Sequence, residues 1–222
     1  MFPFPLYLIT DPLLYPLPKE GDHRDRSQSL VDVIEQAIEA GARLIQYRDK
    51  TGTRREMYER AKKLRGLTSA RDVTLIINDE IDLALAVKAD GVHLGQDDLP
   101  IDVARKLLAK GTIVGISTHN ISQAAKAESE GADYIGFGPI FKSSTKDSSN
   151  VPLGIESVRE AVRQVQIPIY VIGGIQFSHL PEVMAAGAAG VAAVSAFSGD
   201  IRLNVSRWVT FLKAKGNLDK TG

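Results

Sequence analysis

Apolar residues gather in eight short runs along the chain: Leu6–Ile9, Leu44–Ile45, Thr74–Ile77, Gly91–Leu94, Ile113–Ile116, Tyr134–Phe137, Ile169–Ile172 and Gly190–Val194. Most are continuous rather than alternating, which is how strands covered on both faces read, so a parallel sheet is expected. The segments between them carry helical spacing. Leu30, Val33, Ile34, Ala37 and Ile38 follow the i, i+3, i+4, i+7, i+8 rule. Met57, Ala61 and Leu64 do likewise, as do Val205, Trp208, Val209 and Leu212, each set marking one buried helix face. A related phrase precedes several strands: Gly41-Ala42, Ala89-Asp90, Gly131-Ala132-Asp133 and Gly187-Ala188. Glycine there supplies the left-handed residue that ends a helix and turns the chain back into the sheet.

Strand and helix therefore alternate. Eight such units in 222 residues leave about 28 for each, near the low end for a (β/α)8 TIM barrel, so the fold expected is α/β, one eight-stranded parallel barrel over residues 1–222. A doubly wound open sheet uses the same alternation but asks for a glycine fingerprint after an early strand. Thr10-Asp11-Pro12 follows the first run, Gly136-Phe137-Gly138-Pro139 comes late and lacks the third glycine, and no Gly-Lys-Ser/Thr phosphate loop occurs. Pro12 to Arg26, with three prolines, reads as a long first loop, and Lys213 to Gly222 as a disordered polar tail.

Composition narrows the function. Lys and Arg number 27 and Asp and Glu 27, so the basic field that nucleic acid or an anionic membrane needs is missing. The absence of cysteine excludes a disulfide scaffold, a thiolate metal site and a cysteine nucleophile. No apolar run approaches a membrane span, and MFPFPLYLIT lacks a basic n-region and a cleavage site. A cytoplasmic protein is expected, with homo-oligomerisation left open.

In such a barrel the chemistry sits at the C-terminal ends of the strands, and there the polar residues collect. Gln46, Arg48 and Lys50 are spaced by two, so they share one side of a strand end while Tyr47 and Asp49 face the other. Two inward cations ask for an anionic ligand, although pairing with a neighbouring acid accommodates them equally. Asp79 and Asp98 end strands that are neighbours in a barrel. Two close carboxylates repel unless a cation lies between them, and oxygen donors without His or Cys favour Mg²⁺. A helix N-cap is the competing role for each, and is preferred for Asp97. Phe141 to Ser149, with its hydroxyls and Lys146, can wrap a phosphate. Gly173-Gly174 and Val194-Ser195 stand where barrels hold phosphate on backbone amides, though a double glycine is also turn chemistry. His93 reads as core; His119 suits acid–base work or a packing role.

Gln46-Tyr47-Arg48-Asp49-Lys50, Asn78-Asp79, His93-Leu94-Gly95-Gln96-Asp97-Asp98, Gly115-Ile116-Ser117-Thr118-His119, Gly138-Pro139-Ile140-Phe141 with Ser144-Thr145-Lys146, and Ile172-Gly173-Gly174-Ile175 together resemble the thiamine-phosphate synthase family in order and spacing. The resemblance spans nearly the whole chain. It implies a transferase joining a hydroxymethylpyrimidine diphosphate to a thiazole phosphate, by a dissociative substitution that needs Mg²⁺ and no strong base. It also implies roles. Gln46, Arg48, Lys50, Asn78, Ser117 and Lys146 would hold the pyrimidine diphosphate, Asp79 and Asp98 the Mg²⁺. Ser143, Ser144, Thr145, Gly173, Gly174, Val194 and Ser195 would hold the thiazole phosphate. The segment from Gln46 through Tyr47 and Asp49 to Lys50 is taken whole as substrate-binding, with Lys146, Ser117 and Arg48 as catalytic groups. Asp49 stands where the family usually has Glu, and Lys142-Ser143-Ser144 replaces a more usual Pro-Thr run. Two other readings share this frame: a thiazole tautomerase with His119 moving the proton, and a barrel that only binds thiamine phosphates.

Overall fold

Each of the eight apolar runs is a strand in the computed structural model, which describes residues 4–11, 26–142, 151–194 and 199–216. The strands are β1 Leu6–Ile9, β2 Leu44–Tyr47, β3 Thr74–Asn78, β4 Gly91–Leu94, β5 Ile113–Thr118, β6 Tyr134–Phe137, β7 Ile169–Val171 and β8 Gly190–Ala193. They close in sequence order into one barrel, every neighbouring pair parallel. The helices between them are α1 Arg26–Glu39, α2 Arg54–Ser69, α3 Ile81–Val87, α4 Ile101–Leu107, α5 Ile121–Ser129, α6 Ile155–Gln164, α7 Leu180–Ala185 and α8 Ile201–Gly216. The expected (β/α)8 barrel is therefore the fold. No helix among the described residues is long and apolar enough to cross a membrane.

Alternation along each strand divides the apolar residues between two cores. Outward residues such as Leu8, Ile45, Leu75 and Val92 pack with the helical stripes of Ile34, Ala37, Leu64 and Val205. Inward residues Tyr7, Leu44, Ile76, Tyr134 and Tyr170 fill the barrel itself. The rings of Tyr7, Tyr134 and Tyr170 meet edge to face, centroids 5.5 to 5.7 Å apart, an arrangement their quadrupoles favour. Glycine makes the room. A Cβ on Gly115 would lie 2.1 Å from Tyr134 Cζ, and one on Gly190 2.8 Å from Tyr170 Cε1. Large rings on some strands thus sit against empty positions on their neighbours.

The N-terminal end of the barrel is held by acids at the strand starts. Asp90 Oδ2 accepts the Leu75 N–H at 2.8 Å and pairs with Arg65, while Asp133 Oδ2 accepts the Val114 N–H at 2.7 Å and pairs with Arg105. The turn before β6 has Gly131 at φ 91°, but before β4 Lys88 takes the left-handed position at φ 55°. Two expectations need correction. Asp97 caps no helix, because α4 begins at Ile101 behind Pro100, whose fixed φ starts the helix without a side-chain acceptor. The polar tail does not begin at Lys213 either: α8 runs on to Gly216, one turn past buried Leu212.

Candidate active site

At the end of β2 the chain sorts its residues between barrel mouth and helix layer. Gln46 is buried inside, its Nε2 donating to Tyr7 OH at 2.7 Å. Arg48 continues the inner row. Its backbone is clasped by buried Thr10, whose Oγ1 accepts the Arg48 N–H at 2.9 Å and donates to the Arg48 carbonyl at 3.2 Å. Its guanidinium stands 3.7 Å from Asp11. Lys50 reaches across to Asp79 and pairs with it. Tyr47 and Asp49 leave the site: Tyr47 OH donates to Asp49 Oδ2 at 3.0 Å, and that oxygen also takes Arg60 Nη1 of α2 at 2.6 Å. Counting them with the substrate-binding residues is corrected by the period of two, which turns both side chains into the wall between β2 and α2.

Asp79 and Asp98 are brought together. Asp79 follows β3 with φ 61°, and its N–H bonds to the His93 carbonyl at 2.8 Å. Asp98 closes the turn after β4, its Oδ2 accepting the Gly95 N–H at 2.7 Å. The Asp79 carboxyl is close enough to act on that of Asp98. Partial desolvation and the Asp79 charge push the Asp98 carboxyl above its ordinary range, against the Gly95 N–H and Lys50. Two neighbouring hard oxygen donors fit a divalent cation of the Mg²⁺ kind, which keeps waters and completes its shell with phosphate oxygens. No cluster of three or more His, Asp or Glu occurs among the described residues.

Asn78 ends β3 on the same inner row, half-buried. On β5, Ser117 Oγ lies 2.9 Å from His93 Nε2, and Gln96 Nε2 donates to the Ser117 carbonyl at 2.7 Å. His93 is core, as expected, but polar core: its Nδ1 lies 3.0 Å from Tyr134 OH. Burial pulls its imidazole down to about 4, against the Asp98 charge, so the ring is neutral near pH 7. Residues collected along the rim do not include Tyr7 and Tyr134, nor do they give His93 a part in the site. The signal for them lies in the inward positions of β1, β4 and β6, read across strands instead of along each one. His119 is exposed, its Nδ1 2.6 Å from the Gly138 carbonyl, a tie between the ends of β5 and β6.

Gly173 and Gly174 lie after β7 at φ 95° and 64°. Their first close approach is to the chain itself. A Cβ on Gly173 would sit 2.5 Å from Pro139 Cβ, and one on Gly174 2.5 Å from the Lys142 carbonyl oxygen. Ile140 N–H bonds to the Ile172 carbonyl at 2.9 Å and Phe141 N–H to the Gly173 carbonyl at 3.0 Å. The β6 loop is thereby laced to the β7 loop just before Ser143. Val194 follows β8 and packs against the inner core. Ser143, Ser144, Thr145, Lys146 and Ser195 lie outside the described residues, as does the Pro12 loop up to residue 25.

Comparison with known proteins places the chain among relatives. Residues 14–197 match the family model described as thiamine monophosphate synthase. The thiamine-phosphate synthase of Chloroflexus aurantiacus is 47% identical over 188 residues, covering 85% of this chain and 86% of that one. That of Halalkalibacterium halodurans is 43% identical over 205 residues, 91% and 96% of the two chains. Among solved structures, the thiamine phosphate pyrophosphorylase from Pyrococcus furiosus superposes with a TM-score of 0.83 at 37% identity, covering 95% of this chain and 96% of that one.

Proposed function

The chain belongs to the thiamine monophosphate synthase family, and we propose from that membership how its barrel mouth does the work. It is a transferase that makes thiamine monophosphate from small phosphorylated substrates. A hydroxymethylpyrimidine diphosphate and a thiazole phosphate enter; thiamine monophosphate and diphosphate leave. The observation that carries this reading is the convergence of Gln46, Lys50, Asn78, Asp79, Asp98 and Ser117 on one rim, with Arg48 beside them.

In the proposed course the bond from the pyrimidine methylene to the diphosphate oxygen breaks, its electron pair leaving with diphosphate. The aminopyrimidine ring delocalises the cation left behind. The thiazole nitrogen then gives its lone pair to the methylene carbon, and no proton need be removed. Charge builds on the leaving group, so fixed cations and donors there lower the barrier. Arg48 and Lys50 supply two cations, and Lys146, beyond the described residues, is assigned the third. Lys50 is half-exposed on its pairing with Asp79 and is placed to turn its ammonium to the diphosphate. Ser117 offers a hydroxyl to the same group. Mg²⁺ held by Asp79 and Asp98 would supply further neutralisation of the diphosphate. Ser143, Ser144, Thr145, Gly173, Gly174, Val194 and Ser195 are assigned to the thiazole phosphate.

The test is direct: purified protein, Mg²⁺ and the two precursors should yield thiamine monophosphate. Lys146→Ala should lower turnover by about 100-fold or more, as loss of a group stabilising developing charge does. Full activity in chelator, or an unaffected Lys146→Ala, would sink the scheme.

A further inference from the structure

Asp79 sits at the centre of a three-residue turn. Its φ of 61° lies in the left-handed region that residues other than glycine seldom enter, and the Glu80 N–H reaches back over it to the Asn78 carbonyl at 2.7 Å. A turn closed in this way around a residue of positive φ is strained, and such strain persists where the surrounding contacts over-determine it. Several contacts do so. The Asp79 N–H goes to the His93 carbonyl at 2.8 Å, and its carboxylate pairs with Lys50. The next residue is held from the other side. Glu80 occupies the N-cap position of α3 but makes no side-chain cap. Its Oε2 instead lies 2.6 Å from Arg54 Nη1, while Arg54 Nη2 donates to Asp82 Oδ2 in the first turn of the same helix. Arg54 itself opens α2 behind a capping box: Thr53 Oγ1 accepts the Glu56 N–H at 3.3 Å, and Glu56 Oε2 accepts the Thr53 N–H at 2.7 Å. The guanidinium therefore springs from fixed backbone.

We propose that Arg54 is a positioning residue for Asp79: by gripping Glu80 and Asp82 it keeps the turn shut, and the Asp79 carboxyl beside Asp98, when Lys50 gives up its pairing with Asp79. The need arises from the double use of Lys50. Its ammonium neutralises the Asp79 carboxylate and helps hold the turn. Once it swings to the diphosphate, the carboxylate is free for a cation, and the turn loses one hold at the moment its geometry matters. Backbone released from φ 61° returns to the common regions of negative φ, and the carboxyl moves with it. Arg54 acts at one remove, on the residues one and three places past Asp79. An exposed ion pair contributes little to the stability of the whole fold; here it biases a local equilibrium. The swing of Lys50 and the cation rest on the function proposed above; the hold on the turn does not.

Two measurements on Arg54→Gln test this. In the protein without ligands, amide hydrogen exchange over residues 78–82, read by mass spectrometry, should quicken about fivefold, the worth of one exposed pair. Calorimetric titration with Mg²⁺ in the presence of diphosphate should show binding about fivefold weaker. The direction discriminates. Arg54→Gln removes a positive charge from the neighbourhood of the cation, so the field alone would tighten Mg²⁺ binding, whereas a lost position weakens it. Glu80→Gln cuts the same contact from the other end and should also weaken binding, and the two losses should not add. Both variants should melt close to wild type. Unchanged exchange over residues 78–82, or Mg²⁺ held as tightly or more tightly by Arg54→Gln than by wild type, would overturn the proposal. Quickened exchange in Arg54→Gln, with a wild type that takes up no Mg²⁺ beside diphosphate, would support the hold on the turn and remove the cation role of Asp79 and Asp98 instead.

Discussion

Asp49 Oδ2 accepts a 2.6 Å hydrogen bond from Arg60 Nη1 at a point in the barrel wall where the carboxylate side chain has no exposed surface. Its other oxygen takes the N–H groups of Thr51 and Gly52 at 3.0 and 2.9 Å. Burial by itself would raise this carboxyl, but the Thr51 and Gly52 N–H groups, with Arg60 and Tyr47, outweigh it and hold the group below the ordinary Asp range. Asp49, in the middle of the segment from Gln46 to Lys50, is thus an anchor for the turn that carries Lys50. Asp49→Ala should cost about 3 kcal/mol, the penalty of stranding one partner of a buried pair, read by urea denaturation. The pH dependence has a definite sign. A depressed folded-state value means the contribution is full above the unfolded Asp value near about 3.9 and is lost as pH falls through the lower folded value. The stability gap between wild type and Asp49→Asn should be flat from neutrality to about pH 5 and then close in acid.

The same strand shows what sequence reading reaches. Period-two spacing sorts Gln46 and Arg48 from Tyr47 and Asp49, and continuous apolar runs are enough for a closed parallel barrel, because burial on both faces leaves that imprint. What the line of letters does not carry is which inward residues of distant strands share a layer. Tyr7 and Tyr134 are 127 positions apart yet share a hydrogen bond, and their pairing follows from barrel closure. Gly173 and Gly174 read two ways for a related reason: a double glycine looks alike along the chain whether the close approach it permits is to a phosphate or to the chain's own Lys142. Asp97 reads as a cap because Asp suits one, but Pro100 fixes where α4 begins.

Glycine positions give a paired test of the packing. Gly115→Ala puts a methyl 2.1 Å from Tyr134 Cζ, in a barrel interior with no room to yield, and should destabilise by about 3 kcal/mol or more. Gly66 lies inside α2, where an added Cβ would have nothing within 4 Å. Gly66→Ala should therefore stabilise by about 0.5 to 1 kcal/mol through helix propensity alone. Thermal melts of the two variants should move in opposite directions; a Gly115→Ala protein that melts like wild type would contradict the packing described.

The Asp79 and Asp98 carboxyls make a prediction that does not need turnover. If they hold Mg²⁺ together with a diphosphate, adding both ligands should raise the melting temperature of the wild type, by the equivalent of about 2.7 kcal/mol at one hundred times the dissociation constant. Asp79→Asn and Asp98→Asn should lose that shift while diphosphate without Mg²⁺ moves none of the three. Equal shifts in wild type and variants would place the metal elsewhere.

His119 separates the synthase from the tautomerase reading of the same barrel. Its Nδ1 is 2.6 Å from the Gly138 carbonyl, and its own N–H donates to Gln123 Oε1 at 2.7 Å. One ring nitrogen is thus engaged with backbone at the junction of the β5 and β6 ends, a bracing role for the loop that leads to Lys146. A substitution in which no proton need move asks nothing more of it. His119→Ala should lower thiamine monophosphate formation only a few-fold, about the effect of losing one neutral hydrogen bond, and with no change in the shape of the rate's pH profile. A general acid–base group would instead cost about 100-fold or more and take its limb of that profile with it. Thiazole isomerisation without thiamine monophosphate formation, abolished in His119→Ala, would make this histidine the centre of the chemistry.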